Sequence, residues 1–232
     1  MSEPFERDDV RGDLHHPEGE PVGALLLTHG AGGNRDATLL QRAADEFAAR
    51  GVLVLRYDLP FRQRRPKGPP SPSTAEQDRE GIATAVAAVR ELFTGPLILG
   101  GHSYGGRQSS MLAADRPEVC DGLLLFSYPL HPPGKPEKAR TSHLPDLRSP
   151  CVFVHGTRDP FGSPDEMRVA LELVTAPTRL VLIEGKGHDL APDRSDAVPR
   201  AVDAVGDMLD LHAPAQGGAV AGTAADPAGS EP

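Results

Sequence analysis

The sequence predicts a doubly wound α/β domain, in which a mostly parallel sheet is covered by helices on both faces. Three observations lead to this fold class. Short apolar runs alternate with segments of helical periodicity between residues 22 and 211. The apolar runs are continuous, as expected of parallel strands that are buried on both sides. The chain has 232 residues, which is enough to bury one core without disulfide bonds or a structural metal.

Six apolar runs predict the parallel strands, and each is stopped by glycine, proline or polar residues. These runs are residues 22–29, 52–57, 96–100, 122–127, 151–155 and 179–183. Ahead of them, the segment "DVRGDLHHPEGE" predicts an edge strand that pairs antiparallel through a turn near residues 17–19. A sheet of about six to seven strands is therefore expected.

Five segments with helical spacing predict the helices that cover this sheet. They are residues 36–49, 74–93, 106–114, 163–174 and 195–211. The second begins with a threonine, and the last two begin with serines, which are residues that commonly cap helix N-termini.

The composition argues against several classes of partner. The net charge is −9, which disfavours nucleic acid or an anionic membrane surface as the main partner. The sequence contains no apolar run of about 18 residues, as a membrane span would require. The N-terminus is charged where a signal peptide would need an apolar core, so a cytoplasmic location is expected. We expect one domain over residues 1–212 and a disordered tail, rich in alanine, glycine and proline, over residues 213–232.

The motif Gly101-His102-Ser103-Tyr104-Gly105 fits the formula G-x-S-x-G and lies between a predicted strand and a predicted helix. This is the setting of a nucleophile elbow, a strained turn that exposes its serine, and a side chain at either glycine would collide with a neighbouring element. The turn would also direct the Tyr104 N–H towards an oxyanion. The formula alone is weak evidence, so the residues at the other strand ends must decide whether Ser103 is a nucleophile.

Functional loops of an open parallel sheet follow the carboxyl ends of its strands. The loop "HGAGG", residues 29–33, follows the first predicted parallel strand and could present N–H groups to a negative charge. A phosphate-binding turn is the alternative, although the spacing matches neither G-x-G-x-x-G nor a P-loop. Asp159 follows the fifth such strand, either as an ordinary Asp-Pro turn or as an acid, and His188 follows the sixth. The order Ser103, Asp159, His188 is that of the α/β-hydrolase triad.

Together, "LTHGAGG", "GGHSYGG", "VHGTRDPFG" and "EGKGHDL" resemble the α/β-hydrolase-fold serine hydrolases. The resemblance is strongest to the small lidless branch that includes testis-expressed-protein-30-like and dienelactone-hydrolase-like proteins, and it extends from about residue 10 to residue 211. It implies Ser103 as nucleophile, Asp159 as acid and His188 as base. It also implies an oxyanion hole formed by the N–H groups of Ala31 and Tyr104, with no metal or organic cofactor.

Two segments depart from the larger members of that family. The chain ahead of the first parallel strand is short for their full antiparallel start. Residues 128–149, where many relatives insert a helical lid, form a proline-rich loop with one predicted helical turn. We therefore expect minimal or no lid and no large buried lipid pocket.

Aromatic residues are concentrated at the predicted strand ends. They either pack at the edge of the sheet or line an apolar pocket for a small acyl or aryl group. They are Tyr57, Phe61, Tyr104, Tyr128 and Phe161.

The loop "RYDLPFRQRRPKGPP" adds four basic residues, Arg62, Arg64, Arg65 and Lys67, beside the same predicted rim. They form either a solvated surface or an attraction for a carboxylate or phosphate on the substrate, against the negative charge of the whole chain.

The leading hypothesis is a serine hydrolase that acts on a small-molecule ester or related acyl bond. A non-catalytic module of the same fold that binds a partner protein is the alternative from another class. A thioesterase or peptidase would use the same residues, and the sequence does not separate it from an esterase. The oligomeric state is not predicted.

Overall fold

Eight strands form one sheet in the computed structural model, which describes residues 2–211. The predicted tail, residues 213–232, lies outside the described residues. In chain order, the strands are β1 (Ser2–Arg7), β2 (Val10–His15), β3 (Gly23–Thr28), β4 (Val52–Tyr57), β5 (Leu97–His102), β6 (Gly122–Phe126), β7 (Cys151–Gly156) and β8 (Thr178–Ile183). Their order across the sheet is β1-β2-β4-β3-β5-β6-β7-β8.

Strands β3 to β8 are parallel, and their burial explains why they read as continuous apolar runs. All six residues of β3 and of β4 are buried, because helices cover both faces of the sheet. The predicted doubly wound α/β fold class is confirmed.

Six α-helices cover the sheet, and five of them are the predicted ones with shifted ends. They are α1 (Thr38–Ala49), α2 (Pro60–Arg64), α3 (Ala75–Arg90), α4 (Tyr104–Asp115), α5 (Pro164–Leu171) and α6 (Ala197–Leu209). Helices α1 and α6 pack on one face of the sheet, and α3, α4 and α5 pack on the other. Helix α2 was not predicted, because five residues are too few to show a helical period.

The predicted helix caps have different outcomes. Ser163 forms a capping box with Glu166 at the start of α5, as its sequence position indicates. Thr74 occupies the cap position of α3, but its hydroxyl donates to the Ser71 carbonyl over 3.0 Å and leaves the helix uncapped. Asp196, rather than Ser195, precedes the first residue of α6.

The N-terminal segment pairs antiparallel as predicted, but not through the predicted turn. Strand β2 pairs antiparallel with β4, with Leu14 opposite Leu55, and does not fold back through residues 17–19 onto β3. Both edges of β3 are already occupied by β4 and β5, so β2 extends the sheet at the free edge of β4 instead. Strand β1 then pairs with β2. The short N-terminal segment therefore supplies two antiparallel strands, and the sheet has eight strands rather than six or seven.

The connection between β6 and β7 contains two single 3₁₀ turns, Pro136–Lys138 and Leu144–Asp146, and no α-helix. It lies against α4, where Leu144 is buried and His143 Nε2 is 2.9 Å from Ser110 Oγ. The Tyr128 hydroxyl donates to the Arg140 carbonyl and holds the connection together. This confirms the expectation of a fold without a helical lid. Among the described residues, no helix is long and apolar enough to cross a membrane.

We expect Gly12→Ala to reduce the free energy of unfolding by about 1–3 kcal/mol. A Cβ atom at Gly12 would collide with the Arg56 carbonyl oxygen and lie 2.9 Å from Leu55 Cδ1, which forces β2 away from β4. Urea denaturation would measure the change. Gly32→Ala is the matched control, because a Cβ atom there would meet nothing within 4 Å. Equal unfolding midpoints for the two variants would contradict the observed pairing of β2 with β4.

We expect His143→Gln to make the protein less sensitive to acid. Burial and the nearby Arg107 guanidinium lower the pKa of His143 from 6.5 to about 4, and Asp115 and Asp146 oppose this shift weakly. Between these two values the unfolded chain binds a proton that the folded chain does not, so His143 costs stability as the pH falls. Thermal unfolding at about pH 7 and about pH 5 would compare the two proteins. An equal loss of melting temperature in both would refute the expected role of His143.

Candidate functional site

Ser103 occupies a sharp turn between the end of β5 at His102 and the start of α4 at Tyr104. Its φ of 51° and ψ of −112° are unusual for a residue with a side chain. The Ser103 N–H donates to the Phe126 carbonyl over 2.8 Å, which attaches the turn to β6. The structure therefore has the strand, strained turn and helix that the motif predicts.

The two glycines of the motif are required by close contacts. A Cβ atom at Gly101 would lie 2.6 Å from the Thr28 carbonyl oxygen, and one at Gly105 would lie 2.6 Å from the His29 carbonyl oxygen. The end of β3 thus packs directly against the backbone on both sides of Ser103. A larger residue at either position would displace the turn.

The structure brings Ser103, His188 and Asp159 into one hydrogen-bonded line. His188 Nδ1 lies 2.8 Å from Asp159 Oδ2, and His188 Nε2 lies 2.8 Å from Ser103 Oγ. A carboxylate only accepts, so Nδ1 carries the proton and Nε2 of the neutral ring accepts from the Ser103 hydroxyl. This arrangement can remove a proton from Ser103 as its oxygen attacks a carbonyl carbon.

The loops after β7 and β8 hold Asp159 and His188 in place. The Phe161 N–H donates to Asp159 Oδ1 over 2.9 Å, which orients the carboxylate. The Phe161 ring packs on His188 with 4.3 Å between the ring centres. A Cβ atom at Gly156 would lie 2.6 Å from the Gly187 carbonyl oxygen, so a glycine there lets the two loops approach each other.

Two further histidines, the half-buried His102 and the fully buried His155, support these loops, although sequence reasoning did not select them. His102 Nε2 donates to the His188 carbonyl over 2.8 Å, and burial lowers the pKa of His102 to about 4. His155 Nε2 donates to the Gly162 carbonyl over 2.8 Å, and burial lowers its pKa as well. Both rings are therefore neutral donors near neutral pH. The sequence feature that could have identified these two histidines is their position at the ends of β5 and β7.

The loop His29–Gly33 follows β3 and turns back against the Ser103 turn. The Leu59 N–H donates to His29 Nε2 over 3.2 Å, so His29 Nδ1 carries the proton and donates to the Gly30 carbonyl over 2.9 Å. The Gly33 N–H donates to the same carbonyl over 3.1 Å. The N–H groups of Ala31 and Tyr104 have no acceptor within residues 2–211.

Arg62 lies beneath this loop and not at the rim where the sequence suggested it. It is 6% exposed, and its guanidinium donates to the carbonyls of Gly33 over 2.7 Å and Ala31 over 2.9 Å. It also reaches the carbonyls of Arg65 and Gly68, each over 3.2 Å. Because its donors are directed at four backbone carbonyls, Arg62 binds the protein itself and is not positioned to receive a substrate.

A cavity of about 500 Å³ opens beside Ser103, and it contains only part of the predicted pocket. Phe161 and Tyr104 line it, and the Tyr104 hydroxyl donates to the buried Asp78 over 2.8 Å. Tyr57 does not line it.

Phe61 and Tyr128 are also absent from the cavity wall. Both side chains are buried, and they fill space between the helices and the sheet. The Phe61 ring packs edge-on against His29, and the Tyr128 ring packs edge-on against Phe153. The sequence placed these aromatic residues at strand ends correctly, but it did not show the direction in which their side chains point.

The basic residues of this cavity are not the ones that the sequence suggested. Arg79 from α3, Arg107 from α4 and Arg140 from the connection between β6 and β7 line it. None of Arg64, Arg65 and Lys67 does so. The three arginines that line the cavity are far apart in the chain, and only Arg107 lies near a motif that the sequence analysis selected.

A larger groove of about 700 Å³ lies between α3 and the N-terminal strands. Acidic residues, including Asp8, Asp9 and Glu80, line it, and Ser103, Asp159 and His188 do not. The chemistry of the site therefore belongs to the smaller cavity.

Comparison with known proteins agrees with this architecture. A family described as "Alpha/beta hydrolase domain" matches residues 21–205 of the chain. The structure is similar to that of dienelactone hydrolase from Anabaena variabilis, with a TM-score of 0.70 and 19% identity over 91% of this chain and 97% of that one.

Two further solved structures share the fold. TT1662 from Thermus thermophilus has a TM-score of 0.72 and 23% identity over 90% of this chain and 98% of that one. XC6422 from Xanthomonas campestris, described as a serine hydrolase without a lid, has a TM-score of 0.68 and 17% identity over 90% of this chain and 93% of that one. Since the family match covers most of the chain and the fold agrees, the chain belongs to the α/β-hydrolase family.

Proposed function

We propose that the protein is a serine hydrolase that cleaves a small ester or a related acyl bond. The observation that carries the proposal is the hydrogen-bonded line from Ser103 through His188 to Asp159, with the serine in a strained turn. A serine in such a turn can be activated by the neutral imidazole beside it. Membership of the α/β-hydrolase family supports the same reaction class.

The proposed reaction has two halves. His188 Nε2 accepts the hydroxyl proton as Ser103 Oγ attacks the carbonyl carbon, and Asp159 stabilises the resulting imidazolium. The imidazolium then donates that proton to the leaving group, and the acyl group remains on Ser103. A water molecule, deprotonated by His188, attacks the acyl-enzyme and releases the acid. These steps require no metal ion or organic cofactor, because the protein supplies the base, the nucleophile and the charge stabilisation.

The N–H groups of Ala31 and Tyr104 are the proposed oxyanion hole. Both are free of other acceptors within residues 2–211 and flank the turn that carries Ser103. The Gly30 carbonyl accepts two hydrogen bonds, which polarises the peptide that carries the Ala31 N–H and strengthens it as a donor. Preorganised donors of this kind stabilise the charge that develops on the carbonyl oxygen.

We expect a fluorophosphonate probe to label the wild-type protein at Ser103 and to leave Ser103→Ala unlabelled. The probe reacts only with an activated serine, so labelling reports the nucleophile independently of the natural substrate. Ser73→Ala, which removes an exposed serine outside the cavity, is the control and should label like the wild type.

An unlabelled wild-type protein would contradict the proposal and favour the alternative, a non-catalytic module that binds a partner protein. If the wild-type protein is labelled, assays with chromogenic esters, thioesters and amides of varying acyl length would distinguish esterase, thioesterase and peptidase activity.

Arg62 is the proposed positioning residue of the oxyanion hole, and Arg62→Lys tests it. We expect kcat to fall by about 10²-fold with little change in KM, because the loss affects a donor that acts mainly in the transition state. Lysine keeps the charge but cannot bind several carbonyls with a planar fork. Arg65→Lys is the control, since within residues 2–211 the exposed Arg65 guanidinium donates a hydrogen bond only to the Pro69 carbonyl. A rise in KM with unchanged kcat would show that Arg62 acts in some other way.

A further inference from the structure

We propose that the cavity beside Ser103 contains an anion subsite formed by Arg79, Arg107 and Arg140, so that the substrate carries a carboxylate or phosphate group besides its scissile acyl bond. The proposal rests on the proposed function, because it concerns the substrate of that site. It replaces the basic loop suggested by the sequence with three arginines that come from separate elements.

These three arginines form no ion pair within residues 2–211. Many other arginines of the described chain do so, for example Arg7 with Glu91 and Arg179 with Asp207. The chain has 33 acidic and 24 basic residues, so acidic partners are abundant. Within residues 2–211, the hydrogen bonds of Arg79 and Arg140 go to neutral acceptors, the Gln108 side chain and the Pro129 carbonyl, so no ion pair offsets the positive charge around the cavity.

The charges of Arg107 and Arg140 lie close enough to act on each other, and all three arginines are half-buried. Burial and the charge of Arg107 lower the pKa of Arg140, which indicates that the two guanidinium groups repel each other. The Arg107 charge also acts on the Tyr128 hydroxyl and on His143, both of which are largely buried. An anion bound between the arginines would relieve this repulsion.

The same wall contains a buried polar side chain, Gln108, whose hydrogen-bonding capacity is only partly used. Gln108 is fully buried, and its Oε1 accepts from Arg79 Nη1 over 3.2 Å. Within residues 2–211, its Nε2 has no hydrogen-bond partner, and neither does the buried Nε of Arg107. Native proteins rarely leave buried donors unpaired, so a bound acceptor is the simplest partner for them.

The rest of the cavity wall defines the other part of the ligand. It includes the apolar side chains of Met111 and Phe161 and several prolines, beside the polar Ser71 and Tyr104. A cavity of about 500 Å³ has room for a small ligand that places its acyl carbon at Ser103 and its anion at the arginines, with a short linking segment packed on these apolar side chains. A guanidinium group binds a carboxylate and a phosphate by the same paired hydrogen bonds, so the experiment must distinguish a carboxylate substrate from a phosphate substrate.

The test compares three esters with the same p-nitrophenyl leaving group. One has a neutral short acyl chain, one carries a terminal carboxylate, and one carries a terminal phosphonate as the phosphate analogue. We expect kcat/KM for at least one anionic ester to exceed that for the neutral ester, and the excess to shrink in high salt.

Arg79→Gln, Arg107→Gln and Arg140→Gln should each reduce the ratio of kcat/KM between the preferred anionic ester and the neutral one by about ten-fold or more. Lys67→Gln removes an exposed charge of the basic loop and should leave the ratio unchanged. Equal activity on all three esters, or an equal loss on charged and neutral esters in the arginine variants, would overturn the proposal.

A binding experiment keeps this test separate from the test of catalysis. Isothermal titration of Ser103→Ala with glutarate and with a short alkyl phosphonate measures the anion subsite without turnover. Binding that is lost when Arg107→Gln is added supports the subsite, even for a protein that hydrolyses no ester and does not react with the fluorophosphonate. The absence of binding of both anions, together with no preference for charged esters, would refute it.

Discussion

The close packing of the Ser103 turn against the end of β3 is the constraint on which the candidate site depends. The carbonyl oxygens of Thr28 and His29 occupy the space that side chains at Gly101 and Gly105 would need. This contact allows the Gly105 N–H to donate to the His29 carbonyl over 3.1 Å and brings the loop after β3 beside the nucleophile. One backbone contact thus sets both the strained serine and the donors proposed to stabilise the oxyanion.

Neutral histidines hold the three loops of the site to the core. His29, His102 and His155 each donate to a backbone carbonyl in one of these loops, at Gly30, His188 and Gly162. Burial lowers the pKa of each ring, so each keeps a single donor and a single acceptor near neutral pH. A rigid ring with a defined tautomer positions a loop more accurately than a long flexible side chain would. Arg62 does the same for the loop after β3 with several hydrogen bonds at once.

The whole chain has a negative net charge, whereas the cavity beside Ser103 is lined by positively charged side chains. The net charge of the chain is −9, while the wall beside Ser103 carries three arginines. A local field decides what enters a cavity, because the walls exclude water and the screening that it provides. The acidic composition is therefore compatible with the proposed anionic substrate.

The sequence by itself determined the α/β fold class, the six parallel strands and the order of Ser103, Asp159 and His188 along the chain. Those features depend on local periodicity and on the rule that functional loops follow the carboxyl ends of parallel strands. Tertiary structure decided the partner of β2, because that choice depends on which strand edge is left free.

The tertiary structure also decided the direction in which each arginine points. Arg62 is buried under backbone carbonyls, while Arg79, Arg107 and Arg140 line the cavity beside Ser103. An arginine is long enough to turn into the protein or into solvent, and only the packing around it selects one direction.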